Sequence, residues 1–103
     1  MERINLIAEK TREELIDALS FLKKDEIPFY KVTRTDFDAY IELSVTPTDS
    51  NVAYITSTAL DIVLEVYQSS EWKSSMFYGI VVKYDETIKE KIPSLSICII
   101  RCV

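Results

Sequence analysis

The nine residues Phe37-Asp38-Ala39-Tyr40-Ile41-Glu42-Leu43-Ser44-Val45 restrict what this chain can fold into more than any other segment. Phe37, Ala39, Ile41, Leu43 and Val45 fall on one side of an extended strand, and Asp38, Tyr40, Glu42 and Ser44 on the other. A strand patterned this way belongs to a sheet with one face on a core and one face in water. The β-prone run Phe29-Tyr30-Lys31-Val32-Thr33 precedes it, and Thr35-Asp36 between them suits a tight turn. The pair reads as a hairpin.

What covers the apolar face must come from the flanking segments. Residues 3–9 read as a short strand with Ile4, Leu6 and Ala8 on one side. Thr11-Arg12-Glu13-Glu14 has the form of a capping box, followed by Leu15, Ala18, Leu19 and Leu22 at helical spacing. Lys23 and Lys24 would sit in the last turn, where the helix dipole favours cations. A helix over roughly 12–25 follows, with Pro28 as its stop.

The stretch 46–51, TPTDSN, is a turn by composition. Residues 52–68 allow two readings. One is a single helix from Val52; the other is a third strand over 52–56 and a helix beginning at Thr58. The second is preferred, because Thr58-Ala59-Leu60-Asp61 resembles another capping box and β-branched residues crowd the earlier part. Residues 76–84, MFYGIVVKY, are apolar on both faces and read as a central strand, as does the closing SLSICIIRCV, residues 94–103.

The expected fold class is α+β: one mostly antiparallel sheet with two helices on one face, in a single globular domain spanning 1–103. A ferredoxin-like βαββαβ core with an added strand is the nearest simple topology. No internal repeat is visible in the sequence.

Two absences narrow the chemistry. The 103 residues contain no histidine, which removes the usual general base and the commonest zinc ligand. Gly79 is the sole glycine, so neither a P-loop nor a dinucleotide-binding turn can be built. Cys98 and Cys102 are four residues apart on one strand, about 13 Å in extended chain. That is too far for a disulfide or a shared metal ion, so both are expected as small buried core residues. A bridge between two copies through Cys102 stays open.

Binding chemistry is more plausible than catalysis. Trp72 stands in Ser69-Ser70-Glu71-Trp72-Lys73-Ser74-Ser75, a polar loop that either displays the indole to a partner or folds it over the end of the second helix. Tyr40 and Glu42 share the expected solvated sheet face, and six tyrosines suit a recognition surface. The candidate partner-binding residues are therefore Trp72, Glu71, Lys73, Tyr40 and Glu42. Thr33, Arg34 and Thr35 could meet an anion. The pairs Asp36–Asp38, Asp61–Glu65 and Asp85–Glu86 read as turn and solvated helix-face residues rather than metal ligands.

Seventeen acidic against twelve basic residues give a net charge of −5, which opposes nonspecific binding to nucleic acid or to an anionic membrane. No apolar stretch has signal-peptide or membrane-spanning length, so a cytoplasmic location is expected. The sequence thus leads to a small acidic, non-enzymatic protein that binds another protein, one with a basic surface fitting best. Inhibitors, immunity proteins and virus-encoded anti-defence proteins are often of this type. No cofactor is expected, and a homodimer is allowed. The alternative is a small-ligand-binding or sequestering protein with its site between sheet and helices or at a homodimer seam.

Overall fold

A computed structural model describes residues 3–48, 55–70, 78–83 and 94–100. Helix α1 runs Arg3–Leu19, and a small hairpin of β1 (Lys23–Lys24) and β2 (Ile27–Pro28) follows it. Then come β3 (Tyr30–Asp36), β4 (Tyr40–Pro47), α2 (Ser57–Ser69), β5 (Tyr78–Lys83) and β6 (Ser94–Ile100). The last four strands form one antiparallel sheet in the order β3-β4-β6-β5. The fold is α+β, as the sequence indicated.

The hairpin stands as expected, with Val32 opposite Val45 and Arg34 opposite Leu43. Its turn comes later than Thr35-Asp36, at residues 37–39, and the Phe37 amide donates to the Tyr40 carbonyl across it at 2.8 Å. Ile41, Leu43 and Val45 of β4 join Leu95, Ile97 and Ile99 of β6 on the helix side. Ile7, Ala8, Leu15 and Leu19 of α1 and Ala59, Val63 and Val66 of α2 complete a single apolar core. Helix α1 lies against β3, β4 and β6, with α2 packed beside it.

The amino-terminal strand over 3–9 does not form; those residues are the first two turns of α1. Ile4, Ile7, Ala8, Thr11, Leu15, Ala18 and Leu19 recur at three- and four-residue intervals, so the apolar stripe of the helix begins well before Thr11. Leu6, which the strand would have placed on the core side, is 51% exposed. Thr11 is a buried interior residue of the helix and not its cap. The ferredoxin-like order would need that first strand. The large sheet instead follows a helix–hairpin–helix–hairpin order, in which α2-β5-β6 repeats the arrangement of α1-β3-β4.

Helix α1 also ends earlier than residue 25. The Ser20 hydroxyl and amide both turn back to the Asp17 carbonyl, and Lys23 and Lys24 lie in β1 rather than in a last helical turn. The two residues between β1 and β2, Asp25 and Glu26, have φ of 52° and 65°. Both are left-handed, as the tight turn of a two-residue hairpin demands.

At α2 the shorter of the two helix readings is the correct one, two residues out of place. Ile55 and Thr56 are not helical, and the N-cap is Thr56, whose hydroxyl accepts from the Ala59 amide at 3.2 Å. Residues 52–54 lie outside the described residues. Strand β6 is interior, as its composition indicated, whereas among the described strands β5 is outermost rather than central. None of the described helices is long and apolar enough to cross a membrane.

Candidate functional site on the open sheet face

The sheet has a face turned away from the helices, set by the even-numbered residues of β4 and β6. Register places Tyr40 opposite Ile100, Glu42 opposite Cys98 and Ser44 opposite Ser96. At the hairpin end Phe37 stacks on Tyr40, with ring centroids 4.8 Å apart and planes inclined by 27°. Phe37 is 43% exposed and Ile100 is 49% exposed. An aromatic pair and a branched aliphatic residue thus share one corner of the molecule, with the half-buried Tyr40 at its centre.

Phe37 was expected on the core side by simple alternation, together with Ala39. Both fall in the turn, where the strand's two-residue period no longer applies, and both are exposed. That break delivers the second aromatic ring to Tyr40.

Glu42 corrects the expectation of a solvated acid. It is only 8% exposed, and its Oε1 accepts from the Ser44 hydroxyl at 2.6 Å. Ser44 in turn lies 3.3 Å from the hydroxyl of Ser96, which is fully buried. Each has strands on both sides, so neighbouring side chains crowd the centre of the face. Lys31, Thr33 and Thr35 on β3 are exposed. A buried carboxylate requires such hydrogen bonding to remain tolerable. In the same layer Thr46 has a buried Oγ1 with no hydrogen-bond partner, the one such side-chain atom among the described residues.

Cys98 lies in this face, half-buried beside Glu42, and is not a core residue. The core positions of β6 are the odd ones, 95, 97 and 99, which leaves 98 outside. Cys102 lies outside the described residues, as do Trp72, Glu71, Lys73, Asp85 and Glu86. Of the five candidate partner-binding residues, the structure therefore brings together Tyr40 and Glu42.

Arg34 is committed to structure. Its Nε and Nη2 donate to the two Asp36 carboxylate oxygens at 2.8 and 3.1 Å. Its Nη1 donates to Glu9 Oε1 and its Nη2 to Asn5 Oδ1, both at 2.6 Å. The Asp36 hydrogen bonds raise the guanidinium pKa above its ordinary value; partial burial works against this, and Glu9 adds to it. With four of its five N–H donors engaged by α1 and β3, Arg34 clamps the helix to β3. Asp61 and Glu65 are exposed on α2, and no cluster of metal-ligating side chains occurs among the described residues.

No known protein family, curated protein or solved structure matches this chain.

Proposed function

We propose that this protein is a small acidic binding module that acts by engaging and occluding another protein, without catalysis of its own. The observation that carries the reading is the stacked Phe37–Tyr40 pair exposed beside Ile100 on the sheet face opposite the helices. Rigid aromatic side chains with an apolar neighbour and a polar surround are the usual anchors of protein interfaces. The part-buried Ser44–Glu42 hydrogen bond gives the floor beside them a fixed shape. A net charge of −5 favours approach of a partner with a basic surface. Inhibitors, immunity proteins and anti-defence proteins work in this manner, with Glu71, Trp72 and Lys73 as further contacts to the same partner.

The test is affinity capture of a stoichiometric partner with the wild-type chain, beside Phe37→Ser and Tyr40→Ser. Loss of an anchor of this kind should weaken binding by roughly 30-fold or more while the fold survives. Equal capture by all three chains removes the aromatic corner from the interface. Native mass spectrometry of the wild type covers the small-ligand alternative, which would show as an added mass.

A further inference from the structure

We infer that the β5 edge of the sheet pairs with the β5 edge of a second copy, giving a two-fold dimer with one continuous eight-stranded sheet. The inference is independent of the binding reading above, which concerns a face of the sheet and not its edge.

The two outermost strands among the described residues differ in kind. Strand β3, Tyr30–Asp36, carries Lys31, Arg34 and Asp36, and its Arg34 is tied down to α1. Charges along an edge are how sheets discourage further strand addition. Strand β5, Tyr78–Lys83, reads Tyr-Gly-Ile-Val-Val-Lys, with no acid and a single charge at its last residue. Among the described residues it has a hydrogen-bonded neighbour on one side only, β6. Its composition is that of a strand paired on both sides, which is why sequence reasoning placed it centrally.

A second copy suits that edge for reasons of register and charge. Every pairing in the sheet is antiparallel, and a two-fold axis perpendicular to the sheet adds one more antiparallel pair while keeping the helices of both copies on one side. With the axis at Ile80, Tyr78 lies opposite Val82, Gly79 opposite Val81, and Ile80 opposite itself. The strand is self-complementary in that register. An acidic chain can meet its own copy here because none of its seventeen acids lies in β5.

The test is light scattering on the wild type and on Val81→Lys, with Val81→Glu as its complement. In this register the two copies of residue 81 lie on one face at a diagonal separation of ~7–8 Å, so like charges there repel. The wild type should have twice the chain mass of 11.9 kDa, and each single variant the chain mass itself. An equimolar mixture of the Lys and Glu variants should regain the doubled mass. Should either variant fail to fold, hydrogen exchange of the wild type decides: the β5 amides should gain protection with rising concentration. A wild type that stays at 11.9 kDa, a Val81→Lys chain that remains dimeric, or β5 exchange independent of concentration overturns the inference.

Discussion

The buried hydroxyl of Tyr30 donates to Thr56 Oγ1 at 3.3 Å and accepts from the Thr56 amide at 3.2 Å, joining residues 26 apart in the chain. One is the first residue of β3 and the other the N-cap of α2, so the start of the hairpin fixes the start of the second helix. The same threonine oxygen also accepts from the Ala59 amide, which makes the cap and the tertiary contact one unit.

Removing either end should therefore be felt at the other. Tyr30→Phe is expected to lower stability by about 1–2 kcal/mol, since it deletes both hydrogen bonds that join Tyr30 to Thr56. Thr56→Ala should cost about 1–2 kcal/mol, the usual loss for an N-cap. Denaturant unfolding of the singles and the double should show a double-mutant loss smaller than the sum. Additive losses would mean the two hydroxyls act separately.

Arg34→Met should lower stability by about 1–2 kcal/mol, between an exposed ion pair and a charged hydrogen bond in the interior. Arg34→Lys should recover only part of this, because an ammonium cannot grip Asp36 with two nitrogens while holding α1. The folded-state pKa of Arg34 is raised, so its contribution is full below the unfolded value and is lost only as pH rises through the folded one. Both lie far above neutral pH. The difference between wild type and Arg34→Met should stay constant from about pH 7 to 10, as read by unfolding midpoints. A difference that shrinks across that range would contradict the assignment.

Glu26→Gly should stabilise the protein by about 0.5–1 kcal/mol. Glu26 is held at φ 65° with a side chain that disfavours it, and its ion pair with Lys23 at 3.3 Å is exposed and worth little. A rise in thermal midpoint of a few degrees checks this. A fall would show that the Lys23 pair matters more than the backbone.

Thr46→Val should be neutral or stabilising by up to about 1 kcal/mol, because the buried Oγ1 has no partner to lose. A clear loss of stability would reveal a hydrogen bond at that oxygen.

Much of the fold is legible because its signals are local. Ile41, Leu43 and Val45 alternate over a strand long enough to fix both its face and its partner. The amino terminus was misread because Ile4, Leu6 and Ala8 alternate by coincidence while Ile4, Ile7, Ala8 and Thr11 carry the helical period. A threonine in the apolar stripe looked like a cap. At the candidate site, parity placed Tyr40 and Glu42 on one face, but parity does not say how crowded that face is, and Glu42 proved buried. Phe37 was hidden for the opposite reason: it joins Tyr40 because the strand has ended there.

The most direct test of the binding reading is quantitative capture of a partner by the wild type beside Tyr40→Ser, with unfolding midpoints measured on both. A stoichiometric complex lost in the variant, at nearly unchanged midpoint, is the expected result. A wild-type chain that captures nothing, or a Tyr40→Ser chain that binds as well as wild type, would contradict it.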